Sequence, residues 1–255
     1  MARKKRRSIL RSVIIIFLSL CFVSLATYYF ISFLTRPRPI LYTAFGIDIP
    51  QGFTIHGIDV SHYQKVIDWS NVKEMQAKNI RIGFVFIKAT EGIGKVDADF
   101  RRNWLKTNEE KITKGAYHYF IAGKSSNAQA QNFIDIVKLE KGDLPPVLDI
   151  EQANGVEIND IRAGVKNWLN KIEQHYKITP IIYTNIDFYK NYLNETFDKY
   201  PFWIAHYLQP VRPRLNRKWI FWQHNEKGHV NGIRSTVDFN VFAGDSSDFK
   251  KLLIK

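Results

Sequence analysis

Short apolar segments recur along this chain at an interval that fits a repeating unit of one strand and one helix. Strand-like segments begin near residues 56, 82, 115, 147 and 180, about 27 to 34 residues apart. That interval matches a βα unit, in which a helix carries the chain back to a parallel strand. The next segments, near residues 202, 219 and 236, follow at only about 16 to 22 residues, too few for a full crossover helix. The spacing therefore predicts an α/β fold, an irregular TIM-like (β/α)5(β)3 barrel.

The predicted elements have definite bounds. The eight strands are placed at residues 56–61, 82–88, 115–120, 147–151, 180–184, 202–206, 219–224 and 236–239. The helices are placed from an Asp68 or Ser70 cap to residue 78, and at 100–110, 127–140 and 158–176. In barrels of this kind the chemistry lies at the C-terminal ends of the strands.

The N-terminus combines a basic tail with an uncharged segment. The first eleven residues contain six Lys or Arg and no acid, and residues 12–34 carry no charge. Those 23 residues are enough to cross a hydrocarbon layer of about 30 Å at about 1.5 Å per residue. The apolar region of a signal peptide is shorter, about 7–15 residues, although residues 24–26 (SLA) would fit a cleavage site. We predict a cytoplasmic tail at 1–11 and an uncleaved transmembrane anchor at 12–34.

The positive-inside rule then places the rest of the chain on the outer side of a cell membrane. Residues 35–54 are predicted to be a linker, because 35–39 (TRPRP) is stiff and extended. A short peripheral strand within residues 41–53 is the alternative for that part, and residues 55–255 are predicted to be the barrel domain. Of the net charge of +13, eight positive charges lie in residues 1–38, which leaves +5 for the rest. That excess suits an anionic polymer such as a cell wall, and an exported domain is a poor partner for nucleic acid. The one cysteine, Cys21, lies in the anchor, so the domain has no disulfide, and we expect a monomer.

Two carboxylates end the fourth predicted strand. Asp149 and Glu151 are two positions apart, so on a strand they point the same way, with Cα atoms roughly 6–7 Å apart. Like charges so close, partly shielded from water, raise one of the two pKa values. A carboxylic acid beside an ionised carboxylate is what glycoside hydrolysis requires. The simpler alternative is that the pair ends a strand and binds nearby Lys or Arg.

Acids and aromatic residues also stand at or just beyond the ends of the other strands. Aromatic faces stack on pyranose rings while carboxylates bind their hydroxyl edges, so this convergence favours a sugar-binding mouth. The residues concerned are Asp59, Glu91, Tyr117, Tyr183, Trp203, Trp222 and Asp238.

Several motifs, taken in order, resemble the family 25 glycoside hydrolases, the lysozymes that act as N-acetylmuramidases. The similarity covers about residues 55 to 245. It rests on residues 56–64 (HGIDVSHYQ), 86–92 (FIKATEG), 115–120 (GAYHYF), 148–151 (LDIE), 182–185 (IYTN), 202–207 (FWIAHY), 222–223 (WQ) and 237–242 (VDFNVF).

The resemblance implies an incomplete (β/α) barrel that hydrolyses the β-1,4 bond between N-acetylmuramic acid and N-acetylglucosamine in peptidoglycan. It implies that Glu151 is the general acid and that Asp149 orients the acetamido group or stabilises the developing cation. Asp59 and Asp238 would line the floor and complete the catalytic set. The D-x-E pattern is shared with enzymes that use the substrate's acetamide as nucleophile, and direct attack by water stays open. The substrate-binding residues would be Tyr117, Tyr183, Trp203, Glu91 and Trp222.

We expect no metal and no cofactor. The seven His show no H-x-x-x-H pairing, the predicted domain has no Cys, and no phosphate-binding glycine pattern is present. Two other functions compete with peptidoglycan hydrolysis. One is a non-catalytic glycan-binding module that tethers the envelope to the wall, and the other is a hydrolase of another N-acetylglucosamine polymer such as chitin.

Overall fold

The computed structural model describes residues 2–35 and 38–255, with side chains described from residue 13 onward within these ranges. The chain divides into two compact units, residues 1–38 and 39–255. The first unit contains helix α1, Ala2–Leu34. Its segment Val13–Leu34 has a mean hydropathy of 2.3, and none of it is buried. By length and composition this segment is a candidate membrane span.

Eight strands of the second unit form a closed barrel. They are β1 His56–Val60, β2 Ile80–Glu91, β3 Thr113–Tyr119, β4 Val147–Asp149, β5 Ile181–Asn185, β6 Phe202–Ala205, β7 Phe221–Gly228 and β8 Val237–Phe242. The barrel closes because β1 pairs with both β2 and β8. The α/β barrel predicted from the spacing is confirmed, and each predicted strand overlaps an observed one.

The last strand runs in the opposite direction to the others. Strands β1 to β7 are parallel to one another where they pair, whereas β8 is antiparallel to both β7 and β1. The short connection between Gly228 and Val237 has no room for a crossover helix, so the chain turns back directly. The N-terminal end of β8 therefore lies at the mouth, and Asp238 pairs in register with Asp59.

Helices cover the outside of the first part of the barrel. Their bounds are α2 Trp69–Glu74, α3 Phe100–Glu109, α4 Ser126–Ile136, α5 Ile158–Tyr176 and α6 Ser246–Leu252, with short helical turns at Ile186–Phe188, Tyr189–Leu193 and Asn194–Phe197. Asp68 caps α2 as predicted, with its side chain accepting a bond from the Asn71 N–H. The predicted extension to residue 78 is wrong, because Gln76 and Ala77 pair instead with the first residues of β2.

A β-hairpin precedes the barrel within the segment that the sequence predicts as a linker. Its strands, Ile40–Tyr42 and Ile47–Ile49, are antiparallel. Phe45 is fully buried and its ring lies 5.1 Å from that of Phe239 on β8. The hairpin is therefore part of the compact unit, which begins at Pro39 rather than at residue 55.

Aromatic rings fill the barrel below its mouth. The ring of Phe86 stacks on Trp203 at 4.5 Å and meets Phe221 edge-on at 5.1 Å. Gly115 faces Phe86 so closely that a Cβ atom there would lie 2.6 Å from the ring, so this position requires glycine. The barrel is consequently a packed core, and polar side chains collect only above these rings.

Candidate active site

The mouth of the barrel contains a central cleft of about 290 Å³. A second and larger side cavity, of about 620 Å³, meets the central cleft at Glu151 and Tyr207, which line both. The structure brings most of the predicted site residues into the central cleft. These are Asp59, Tyr117, Asp149, Glu151, Tyr183, Trp203 and Asp238.

Backbone hydrogen bonds to the neighbouring strands fix the position of the Asp149–Glu151 segment. Phe120 N donates to the Asp149 carbonyl at 2.8 Å, and Ile150 N donates to the Tyr183 carbonyl at 3.0 Å. The Thr184 hydroxyl donates to the Ile150 carbonyl at 2.6 Å. Ile150 is fully buried, whereas the carboxyl groups on either side of it line the cleft. The chain thus stays extended past the end of β4 and presents both acids on one face.

Burial controls the protonation of this carboxyl pair. It raises the pKa of Asp149 well above its usual value, and the negative charge of Glu151 raises it further, against the opposing effect of Lys88. Burial also raises the pKa of Glu151, which is partly offset by a hydrogen bond from Asp149. The two groups are linked by a hydrogen bond that Asp149 donates to Glu151, so their titrations are coupled. The other Asp149 oxygen, Oδ1, is buried and accepts no hydrogen bond from the described residues.

Asp59 and Asp238 form a second pair of carboxyl groups in the same cleft. Asp59 Oδ2 accepts hydrogen bonds from Gln223 Nε2 at 2.8 Å and from Asn240 Nδ2 at 2.7 Å. Burial raises the pKa of Asp59 to about 6, because these donors offset only part of the effect. Burial and the charge of Asp59 raise the pKa of Asp238 to about 9. At neutral pH Asp238 is therefore protonated and donates to the ionised Asp59.

Replacing Asp238 with asparagine is expected to make the protein more stable in alkali. The pKa of Asp238 rises from 3.8 to about 9 on folding, so the folded state retains a proton that the unfolded chain releases. Stability therefore falls as pH rises from about 4 to 9. The asparagine amide would still donate to Asp59 but would not titrate, so Asp238→Asn should gain on the order of 2 kcal/mol at pH 8. Urea unfolding at pH 5 and pH 8 measures this, and an equal pH slope for both proteins would contradict it.

Aromatic side chains form the walls of the central cleft and are held by amide groups. The Tyr183 and Tyr207 hydroxyls donate to Gln223 Oε1 at 2.8 and 2.7 Å. Trp203 Nε1 donates to Asn240 Oδ1 at 2.7 Å. One hydrogen-bonded network therefore links the aromatic walls to Asp59.

The two amides that organise this network, Gln223 and Asn240, are not among the site residues predicted from the sequence. Gln223 lies two positions after the inward-facing Phe221, and Asn240 lies two positions after Asp238, so strand alternation was the available signal. Lys88 also lines the cleft, although it is not among the site residues predicted from the sequence.

Two predicted substrate-binding residues lie outside the central cleft. Glu91 is held by Lys88 at 2.6 Å and by Lys95 at 3.1 Å, so it contacts the site only through Lys88. Trp222 alternates with the inward-facing Phe221 and Gln223 and therefore points away from the barrel interior. It is fully buried, packs against Phe53, and its Nε1 donates to the His206 carbonyl at 2.9 Å.

Trp222→Phe is accordingly expected to lower stability without changing substrate affinity. The smaller ring leaves a cavity and removes the bond to the His206 carbonyl, which together cost about 1–3 kcal/mol. Urea unfolding and KM measure the two effects. The matched variant is Trp203→Phe, which should change KM because Trp203 lines the cleft. A raised KM for Trp222→Phe would show that Trp222 contacts substrate after all.

The described residues, 2–35 and 38–255, contain no group of three or more His, Cys, Asp or Glu side chains placed to hold a metal ion. The cleft instead contains two carboxyl pairs whose pKa values are raised by burial, beside aromatic walls. Such an arrangement at the mouth of an α/β barrel is typical of glycoside hydrolases.

Comparison with known proteins identifies the family. The sequence profile of the Glycosyl hydrolases family 25 matches residues 58–233, and the chain belongs to this family. The chain is 44% identical over 207 residues to the Escherichia coli protein YegX, covering 81% of this chain and 75% of YegX. It is 33% identical over 208 residues to Lysozyme M1 of Streptomyces globisporus, covering 76% of this chain and 69% of that protein.

The fold agrees with this assignment. A family 25 glycosyl hydrolase structure from Bacillus anthracis matches with a TM-score of 0.73 and 29% identity, over 86% of this chain and 99% of that one. The family resemblance drawn from the sequence is confirmed, and the chain is a glycoside hydrolase of the lysozyme, or muramidase, type.

Proposed function

We propose that this protein is a membrane-anchored lysozyme that hydrolyses the β-1,4 bond between N-acetylmuramic acid and N-acetylglucosamine in peptidoglycan. The observation that carries the proposal is the buried pair of Asp149 and Glu151, whose pKa values are both raised by burial in a cleft with aromatic walls. A pure binding module has no need of such a pair, because keeping two buried carboxyls together costs stability.

Glu151 is the general acid in this proposal. It is half-buried and lies where the central cleft meets the side cavity, whereas Asp149 is only 6% exposed. A glycosidic bond between sugars in the two spaces would therefore pass beside Glu151. Its raised pKa keeps it protonated closer to neutral pH, where general acid catalysis is effective.

Asp149 positions the substrate's acetamido group. Its free Oδ1 is a buried acceptor, and an amide N–H donated to it would stabilise the ionised form of Asp149. The proton in the hydrogen bond between the two carboxyl groups would then move from Asp149 to Glu151, the group that must donate it to the leaving oxygen. Substrate binding thus sets the protonation state that the reaction requires.

The first chemical step breaks the bond between C1 of N-acetylmuramic acid and the leaving oxygen. Glu151 gives its proton to that oxygen, and the acetamide oxygen bonds to C1 while Asp149 holds the N–H. In the second step Glu151 takes a proton from water, the hydroxide attacks C1, and the bond from C1 to the acetamide oxygen breaks. The product retains its configuration, whereas direct displacement by water would invert it.

The remaining cleft residues bind and orient the sugar. The ionised Asp59 and the protonated Asp238 offer an acceptor and a donor for substrate hydroxyls. The ring faces of Tyr117, Tyr183 and Trp203 shape the sugar subsite. All of these residues come from one chain, so a monomer suffices.

The proposed location follows from the N-terminus. Helix α1 provides a candidate span at Val13–Leu34, and six of the basic residues precede it. In this arrangement residues 1–11 are cytoplasmic, residues 12–34 are the anchor, and the barrel lies on the outer side of the membrane.

The test uses the full chain in detergent micelles acting on purified peptidoglycan, with the products reduced and identified by mass spectrometry. New muramic acid reducing ends are the expected result. New glucosamine reducing ends would overturn the assignment of the cleaved bond. Binding without cleavage would favour the tethering module, and chitin digested in parallel would reveal a different polymer as substrate.

A further inference from the structure

Two leucines are exposed beside the central cleft. Leu41 on the hairpin is 57% exposed, and Leu208, just after β6, is 86% exposed. Both line a rim cavity of about 320 Å³, which shares Tyr207 and Glu226 with the central cleft. We call Leu41 and Leu208 the aliphatic rim.

The backbone at Leu208 is held in an unfavourable conformation. Its φ is +57°, in the left-handed region that residues with a Cβ atom rarely adopt. The residue before it, Tyr207, points into the central cleft and donates to Gln223 at 2.7 Å. The turn therefore directs Tyr207 inward and Leu208 outward. Because the Leu208 side chain is exposed and contributes nothing to the core, it is free to contact a surface outside the molecule.

The position of the hairpin in the chain suggests what that contact is. The candidate span ends at Leu34, and the compact unit begins at Pro39. Five Cα steps reach at most about 18 Å. The headgroup layer on one side of a bilayer is only about 5–8 Å thick, so the hairpin starts within reach of it. Arg36 and Arg38, between the two, are cations suited to anionic lipid headgroups.

The chemistry of the rim favours lipid over glycan. Leucine side chains are transferred favourably into an acyl environment, whereas sugar rings stack on aromatic faces. The rim cavity also contains the acids Asp48 and Glu226 and the cation Lys227. Because burying these charges in hydrocarbon is costly, the rim can enter the bilayer only as far as the lipid headgroups.

We propose that the aliphatic rim contacts the outer surface of the bilayer that α1 spans, and so holds the central cleft over the glycan strands nearest the membrane. This proposal rests on the proposed function as a membrane-anchored lysozyme. It adds which part of the peptidoglycan is cut, namely the glycan strands nearest the membrane. Because the rim cavity adjoins the cleft at Tyr207 and Glu226, a rim seated on lipid keeps the cleft close to the membrane surface.

The experiment places a fluorophore sensitive to polarity at single cysteines in the full-length chain. Cys21 is the one native cysteine, so Cys21→Ser gives the background for Leu41→Cys and Leu208→Cys. The matched control is Leu105→Cys on α3, because Leu105 is 58% exposed, almost the same as Leu41. The chains are inserted into vesicles of phosphatidylethanolamine and phosphatidylglycerol. The emission of each labelled chain in vesicles is compared with its emission in detergent solution without vesicles.

The expected result is blue-shifted emission, quenched by brominated lipid, at both rim positions and not at Leu105. Equal emission at all three positions in vesicle-bound protein would overturn the proposal. A shift that appears without vesicles, on adding soluble glycan fragments or on raising protein concentration, would also overturn it and assign the rim to glycan or to a second copy.

Failure of the underlying function gives a different pattern. Peptidoglycan digestion by the same labelled chains reports on the chemistry. A lipid-dependent shift with no hydrolysis would uphold the membrane contact and reject the lysozyme. Hydrolysis by chains that do not remain with the vesicles would reject both the anchor and the contact, while the enzyme assignment stands.

Discussion

The Glu151→Gln enzyme is expected to fold normally and to lose hydrolysis of peptidoglycan by about 10²–10⁴-fold, the usual contribution of a general acid. Glutamine fills the same space and keeps hydrogen-bonding capacity, but it has no proton to give to the leaving oxygen. The effect should fall on kcat rather than on KM, because the missing interaction forms only in the transition state. The rate of appearance of new reducing ends measures it.

Glu157→Gln is the matched control for this variant. Glu157 lies six residues after Glu151, is exposed, and immediately precedes α5. Its side chain makes no capping hydrogen bond. It should retain the wild-type rate. Hydrolysis near the wild-type rate by a correctly folded Glu151→Gln protein would remove Glu151 from the mechanism.

Asp149→Asn is expected to be the second most damaging change, with a loss of about 10²-fold or more in kcat. Asparagine keeps the volume of the buried side chain, but it removes the charge that receives the acetamide N–H and balances the developing cation. It also removes one of the two coupled ionisations of the pair, so the pH profile of kcat/KM should lose one limb.

The control for Asp149→Asn is Asp160→Asn, an exposed aspartate in the first turn of α5. Its pH profile should match that of the wild type. If Asp149→Asn retained the full wild-type profile, the acetamide role would be excluded. The anomeric configuration of the first product, followed by NMR, separates acetamide attack from direct attack by water.

The barrel could be predicted because the number of residues between successive strands shows whether a crossover helix fits, and a single sequence reveals that number. It did not predict the direction of β8, since a short interval rules out a crossover helix but does not say which way the next strand runs. Asp238 was nevertheless selected as a site residue, and it reaches the mouth because β8 enters the barrel there.

Two residues predicted to bind substrate lie outside the central cleft, and the reason differs between them. Residues 219–222 (WIFW) are four apolar side chains in a row, so their alternation does not reveal which of them face inward. Trp222 was therefore predicted to bind substrate, although the structure packs it outside the barrel. Glu91 follows a strand end in a loop, where its two lysine partners depend on tertiary packing that spacing does not encode.

The hairpin segment was assigned to the linker for a different reason. Its strands are only three residues long, and the proline-rich residues before them are typical of a spacer. Only the packing of Phe45 on β8 shows that this segment belongs to the domain. Long-range contacts of this kind have no local signal.

The central cleft and the side cavity meet at Glu151, and this arrangement affects how a long glycan strand can bind. Glu151 lies between two spaces, so a strand can lie across the mouth with sugars on both sides of the scissile bond. The packed rings of Phe86 and Phe221 close the barrel beneath, so the polymer does not thread through it. With Glu151 as the proposed general acid, we expect the enzyme to cut in mid-strand, and its early products to have widely varying lengths instead of a single repeating unit.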